Sequence, residues 1–114
     1  MSAEGYYSLP VSMLQMETDH AVRVGFDISK ELSTHFKFKQ GQYVTLQMDI
    51  NKQPVRRSYS ICSGIDEKMQ VAIKRVEGGL FSNYIHDNLS VGDIVLVRPP
   101  EGNFYLETDV TASR

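Results

Sequence analysis

The sequence is short of several features that would point to particular functions. It has one cysteine, Cys62, in 114 residues. A lone cysteine excludes an internal disulfide and is compatible with the reducing cytosol. The same scarcity leaves no C-x-x-C pair and no His/Cys cluster, so the chain offers no ligand set for zinc or an iron–sulfur centre. The expected place for Cys62 is the core side of its strand, as a small buried hydrophobe rather than a nucleophile or metal ligand. No apolar run approaches the roughly 18 residues of a membrane-spanning helix. The opening Met1-Ser2-Ala3-Glu4-Gly5 lacks the basic and apolar regions of a secretion signal, so the expected location is cytoplasmic. There are 12 basic and 14 acidic residues, a formal net charge of −2. That balance gives no electrostatic case for nucleic acid, whose partners usually carry a basic patch. Internal repeats and low-complexity stretches are also absent.

A hydrophobic content of 41% fits one compact domain with its own core. Two-residue alternation dominates the chain. Val22, Val24, Phe26 and Ile28 are apolar against Ala21, Arg23, Gly25 and Asp27; Val44, Leu46, Met48 and Ile50 repeat the pattern against Tyr43, Thr45, Gln47 and Asp49. Further strands are predicted over Tyr7–Glu17, where Pro10 suits a strand start or edge, and over Val55–Cys62, Met69–Val76 and Asp93–Arg98. Turn signals at Asn51-Lys52-Gln53-Pro54, Gly64–Lys68 and Val91-Gly92-Asp93 separate them. One helix is predicted from Phe81 to about Leu89, with Phe81, Tyr84, Ile85 and Leu89 as its core stripe, and Ser29–Phe38 has room for a short helical turn. Six evenly spaced strands and one helix indicate a closed antiparallel barrel, an all-β fold. Met13, Met16, Met48 and Met69 are expected to fill the core. His20 at a turn, His35 in a loop and His86 on the exposed side of the helix are expected to have no partners.

Two segments carry chemistry. In Arg56-Arg57-Ser58-Tyr59-Ser60-Ile61-Cys62-Ser63, strand alternation places Arg57, Tyr59 and Ile61 on one face. A ring and a cation one pleat apart suit a flat, anionic ligand, since the ring stacks and the guanidinium meets a phosphate. About twenty residues on comes Glu77-Gly78-Gly79-Leu80-Phe81-Ser82, at the start of the predicted helix. The glycines let backbone approach a ligand, the first helical amides lack partners, and the helix dipole favours an anion. Ser82 adds a hydroxyl. Taken singly, each segment also reads as ordinary structure: a surface Arg and Tyr, and a Gly-Gly turn with Ser82 in the first turn. Together they point to a flavin nucleotide.

On these residues the chain resembles the flavin-binding domain of the ferredoxin–NADP reductase superfamily. The family's R-x-Y-S/T strand matches Arg57-Ser58-Tyr59-Ser60, and its next strand ending near Lys matches Val71–Val76. Its G-x-x-S helix start matches Gly79-Leu80-Phe81-Ser82, and its late P-x-G-x-F matches Pro100-Glu101-Gly102-Asn103-Phe104. Phe38–Val44 is similar to the family's F-x-P-G-Q entry to the third strand, with Gln40 in place of proline. The wording is most similar to reductase components of oxygenase systems. The resemblance implies a six-stranded antiparallel Greek-key barrel binding FAD. Tyr59 would stack on the isoalloxazine, Arg57 would pair with a phosphate, and Ser60 would hydrogen-bond near N5. Because alternation sends Ser60 away from Tyr59, either the strand twists or bulges there or the Ser60 amide makes that bond. Leu80 and Phe81 would offer amides, and Ser82 its hydroxyl, to the pyrophosphate, which favours FAD over FMN. Ile73 and Lys74 would lie beside the ribityl chain or adenosine half, and Ser58, Val76, Gly78 and Gly79 would complete the cofactor site. No side-chain nucleophile or base is required, because the flavin carries the chemistry.

The resemblance also implies an organisation: residues 1–107 as the flavin barrel and 108–114 as a linker to a nicotinamide-binding domain absent from this chain. NAD(P)H, and a 2Fe–2S centre, would belong to other domains, and the isolated chain would be largely inactive with NAD(P)H. The implied role is passing electrons from NAD(P)H through FAD to an iron–sulfur or oxygenase partner. Two alternatives are a barrel that no longer binds flavin and acts as an interaction module, and a small-barrel oligonucleotide binder, which the acidic balance disfavours.

Overall fold

A computed structural model describes residues 5–39, 41–63 and 68–102. Six strands form: β1 (Tyr7–Thr18), β2 (Ala21–Phe26), β3 (Tyr43–Ile50), β4 (Gln53–Ser60), β5 (Gln70–Lys74) and β6 (Ile94–Glu101). A 3₁₀ segment spans Lys30–Phe36, and the one α-helix among the described residues, α1, spans Leu80–Asn88. All pairings are antiparallel, in the order β4-β3-β6-β1-β2-β5. β6 inserts between β3 and β1, which is the Greek-key step. β1 is long enough to serve two halves: Tyr7–Pro10 pairs with β6 and Val11–Thr18 with β2. Pro10, with no N–H to give, stands where the strand changes partner. The two edge strands meet where Ile61 bridges Val71 and the Cys62 amide donates to the Gln70 carbonyl at 2.8 Å. The sheet thus curls into a barrel joined at one place along its seam.

Alternation fills the interior as expected. Val22, Val24, Phe26, Val44, Leu46, Ile50, Val71, Ile73, Val95 and Val97 are all buried. Phe81 and Ile85 of α1 enter the same core, with Tyr84 and Leu89 packed against it. Burying a side chain such as Phe81 contributes about 1.5–3 kcal/mol, so the helix is anchored chiefly by this stripe.

Several expectations are corrected. The β3–β4 turn is two residues, not four: Asn51 (φ 55°) and Lys52 (φ 67°) both adopt positive φ, a type I′ hairpin turn, which frees Gln53 and Pro54 to pair with Ile50 and Asp49. Pro54 is tolerated because β4 is an edge strand. β5 ends at Lys74 rather than Val76, because the chain turns towards α1. β6 runs on past Arg98 to Glu101: three residues of β3 (Tyr43 to Thr45) face four of β6 (Arg98 to Glu101), a bulge that accommodates Pro99 and Pro100. Cys62 is exposed rather than core-facing, since it follows Ile61 and alternation turns it outward. Met16 is 59% exposed because the β1–β2 hairpin projects beyond the core, with Gln15 through His20 all exposed. His35 stacks on Tyr7, ring centroids 5.3 Å apart. His86 is part-buried and its Nε2 bonds the Ile73 carbonyl at 3.0 Å. Gln40, the Gly64–Glu67 part of the second turn, Asn103 and Phe104 of the late motif, and the expected boundary at residues 107/108 lie outside the described residues.

The hairpin supplies a stability test. Lys52 holds a left-handed conformation that glycine adopts without steric cost, so Lys52→Gly should stabilise the fold by about 0.5–1 kcal/mol. That corresponds to a rise in Tm of about 2–6 °C for a domain of this size. A fall in Tm on thermal denaturation would contradict the turn assignment.

Candidate functional site

The end of β4, the β5–α1 turn and the first turn of α1 enclose a groove of about 260 Å³ lined by Arg57, Ser58, Tyr59, Lys74, Val76, Gly79, Leu80, Phe81 and Ser82. One wall is aromatic. Tyr59 is half-buried and its ring lies against Phe81, centroids 5.9 Å apart at 38°. Burial raises the Tyr59 phenol above its ordinary pKa, and the nearby Arg57 charge pulls the other way. The phenol therefore stays neutral at physiological pH.

The two arginines that open the motif part company. Arg56 is engaged elsewhere: its Nε donates to Gln47 Oε1 at 2.6 Å and its guanidinium lies 5.2 Å from the centroid of the Tyr6 ring. Arg57 lines the groove, where its Nη1 donates to the Arg56 carbonyl at 2.6 Å. Among the described residues no carboxylate lies within ion-pair distance of Arg57 or of Lys74. Two cations lacking acidic partners thus border one groove, and their field favours an anion there.

The opposite wall is built by glycine. Gly78 takes φ +75°, where L side chains are strained, and the Gly79 amide donates to the Val76 carbonyl at 2.7 Å to close the turn. A Cβ on Gly79 would stand 2.8 Å from Ser82 Oγ and 2.9 Å from the Val76 oxygen, so no other residue fits without displacing backbone. Gly79 is the N-cap of α1 and provides no side-chain cap. The first helical hydrogen bond runs from the Asn83 amide to the Gly79 carbonyl, 3.1 Å, so the Leu80, Phe81 and Ser82 amides have no intrahelical acceptor. Ser82 is buried, and its Oγ accepts the Val76 N–H at 3.0 Å, which leaves the hydroxyl proton to donate. A ring platform, two cations, uncapped helix amides and a glycine that admits no Cβ together fit a flat ligand that carries phosphate groups.

Three of the expected site residues lie elsewhere. Ile73 is fully buried in the core, on the same face of β5 as Val71, so its side chain cannot border a ligand. Gly78 lines an adjoining groove of about 370 Å³, with Ile50, Asn51, Gly79, Leu80, Asn83, Tyr84 and Asp87. Ser60 is exposed on the face opposite Tyr59. The β3–β4 register runs unbroken from Ile50–Gln53 to Tyr43–Ser60, so no bulge turns Ser60 back. The Ile61 amide, however, bonds towards β3, to the Gln42 carbonyl at 3.0 Å. Amides alternate in direction along a strand, so those of Ser58 and Ser60 point to the open edge of β4, the side of the groove. Of the two arrangements open for Ser60, the ladder favours the amide. Sequence reasoning missed Arg75, Asn83 and Asp87, which clasp α1 to the end of β5; the i, i+4 spacing of Asn83 and Asp87 was the available signal.

A larger cavity, about 460 Å³, lies between β2 and the 3₁₀ segment, lined by Phe26, Ile28, Phe36, Phe38 and Met69 among others. It sits at the Met69 end of β5, whereas the groove is at the Lys74 end. Its lining is mainly apolar; Ser33, Lys37 and Lys68 also border it, but it includes no glycine turn or helix start. Chemistry, not size, selects the smaller groove.

Comparison with known proteins agrees with this geometry. The family described as the oxidoreductase FAD-binding domain matches residues 10–105. A component of the 1,2-phenylacetyl-CoA epoxidase of Escherichia coli is 35% identical over 100 residues, covering 87% of this chain and 28% of that protein. The glycine betaine monooxygenase reductase subunit of Pseudomonas aeruginosa is 46% identical over 71 residues, covering 60% of this chain and 19% of that one. Among solved structures, a ferredoxin NADP+ reductase from Neisseria gonorrhoeae with bound FAD and NADP superposes with TM-score 0.74 at 16% identity, covering 89% of this chain and 40% of that one, a likeness of fold. The chain spans less than a third of the two curated relatives. With the family matched across most of its length and the barrel and groove in place, this chain belongs to the oxidoreductase FAD-binding domain family.

Proposed function

We propose that this chain is the FAD-binding module of an NAD(P)H-dependent oxidoreductase that passes electrons to an iron–sulfur or oxygenase partner. The observation that carries the reading is the convergence of Arg57, Lys74 and the uncapped Leu80–Ser82 amides on one groove beside the Tyr59 ring. Bound there, FAD would supply the redox chemistry, taking up a hydride's two electrons and releasing them to the partner. The protein's part is position and field. Tyr59, backed by Phe81, gives the ring a flat apolar seat, and Arg57 offers a charge-assisted bond to phosphate. The Leu80 and Phe81 amides and the Ser82 hydroxyl would hold the pyrophosphate, Lys74 would lie beside the ribityl chain or the adenosine half, and Val76 would complete the groove. Gly78 and Gly79 admit the turn, and the Ser60 amide would hydrogen-bond near N5. The family match over residues 10–105 supports residues 1–107 as the flavin barrel, and the relatives' greater length supports 108–114 as a linker towards a nicotinamide-binding domain. Among the described residues no helix is long and apolar enough to cross a membrane, and a cytoplasmic setting suits the single cysteine.

Equilibrium titration tests the reading. FAD should bind more tightly than FMN, and equal affinities would remove the pyrophosphate role. A chain that takes up neither flavin and stays colourless would favour the interaction-module alternative. Arg57→Ala should weaken FAD binding about ten- to hundredfold, the loss of a charge-assisted hydrogen bond of ~1.5–3 kcal/mol. Arg56→Ala should change it little, because that guanidinium is held by Gln47 and Tyr6. Comparable losses from the two would contradict the register.

Turnover gives a separate check. Loaded with FAD, residues 1–114 should oxidise NAD(P)H only slowly, because orienting a hydride donor belongs to the nicotinamide domain and its loss costs several orders of magnitude. Dithionite should still reduce the bound flavin. Rapid, saturable NADH oxidation by this chain would require a donor site on the barrel itself.

A further inference from the structure

We infer that Arg75 is a positioning residue that sets the preference for FAD over FMN, by fixing the start of α1 against the end of β5. This rests on the FAD reading of the groove. Arg75 follows the last residue of β5, and its amide donates to the His20 carbonyl at 2.6 Å, which ties the chain there to the β1–β2 turn. Its guanidinium then forks onto the helix: Nη1 donates to Asn83 Oδ1 at 3.0 Å and Nη2 to Asp87 Oδ1 at 2.8 Å. Asn83 and Asp87 are four residues apart, hence stacked on one helix face, and a rigid planar fork can span both.

The helix needs such a clasp. It has nine residues and no side-chain N-cap, and a helix of that length is not stable alone. Phe81 and Ile85 bury its apolar stripe, but apolar contacts are non-directional and fix its depth better than its rotation or axial position. Directional bonds do that, and all of them reach the same stretch of chain. Ser82 Oγ accepts the Val76 N–H, Asn83 Nδ2 donates to the Val76 carbonyl, and His86 Nε2 meets the Ile73 carbonyl. Arg75, paired with Asp87, brings the charged contact to this set. Its bond to Asp87 holds that carboxyl below the usual carboxylate range, so the pair is ionised at neutral pH. With its charge matched by Asp87, Arg75 acts on a ligand through the helix rather than by offering a cation, in contrast to Arg57.

The selectivity follows from the two grooves. They share Gly79 and Leu80, and the second is bordered by Asn83 and Asp87, the residues the fork holds. FMN, with one phosphate, needs only the first groove. FAD must continue across Gly79 and Leu80, past the helix amides, towards the second. Leu80 is 46% exposed at this crossing and would be covered by the longer ligand.

The test uses the 114-residue chain with Arg75→Met and Arg75→Lys, titrated with FAD and with FMN, alongside amide hydrogen exchange of the flavin-free proteins. Both substitutions should weaken FAD about tenfold or more, the scale of losing a hydrogen bond to a charged group, and FMN less than about threefold. Lysine should fail to restore FAD affinity, because an ammonium cannot span both acceptors. Exchange at Asn83–Asp87, the first amides of α1 with intrahelical acceptors, should quicken in both variants while the β3 and β6 amides stay protected. Equal loss of both flavins, or full recovery with lysine, would overturn the positioning role. Unchanged exchange at Asn83–Asp87 would overturn it whatever the flavin result. A wild-type chain that binds neither flavin would instead overturn the FAD reading, with the exchange arm still reporting on the clasp.

Discussion

The contact between Tyr59 and Phe81 joins two elements that the sheet alone would leave apart. Tyr59 is on β4, the edge strand, and Phe81 is in the first turn of α1. Among the described residues, β4 forms no ladder with β5, and the two are bridged beyond the end of β4, at Ile61 and Val71. Between them the open edge of β4 has to be covered, and the start of α1 does this while leaving a groove. The aromatic pair therefore serves the fold and the site together: Phe81 fills the core, and the Tyr59 ring that rests on it is left with a face for a ligand. The glycine turn is a consequence of this arrangement. Only with no Cβ on Gly79 can the chain pass from Val76 into the helix closely enough to bring Phe81 under Tyr59.

Electrostatics divides labour among the cations of this region. Arg75 is matched to Asp87 and Arg56 is occupied by Gln47 and Tyr6, so both act within the fold. Arg57 and Lys74 border the groove with no carboxylate in ion-pair range among the described residues. A net charge of −2 conceals this, because the relevant quantity is where the unpaired charge lies rather than its sum.

Much of the barrel was legible in the sequence, because two-residue alternation reports directly which side of a strand is buried. Val22, Val24 and Phe26, or Val44 and Leu46, fall in the core where the pattern puts them. The helix was legible within a residue at each end from its apolar stripe and the preceding glycines. Misplaced details depended on geometry that a linear pattern does not carry. A type I′ turn moved the start of β4, because two non-glycine residues accept positive φ there. Ile73 entered the expected site by family resemblance, whereas its alternation with Val71 already pointed to the core. A core position for Cys62 conflicts with the Tyr59–Ile61 face, which already excludes it. The bonds of His86 and Arg75 join residues 8 to 13 apart across a turn, and become visible only once the helix is docked.

The central claim is that flavin occupies the groove between β4 and α1, not the larger cavity beside the 3₁₀ segment. The most direct measurement is an amide chemical-shift map of the isotope-labelled chain during FAD titration. The account predicts the largest changes at Arg57–Ser60 and Gly79–Ser82, with little movement at Phe26, Phe36 and Met69. Changes centred on those three residues, with the groove amides unmoved, would contradict it.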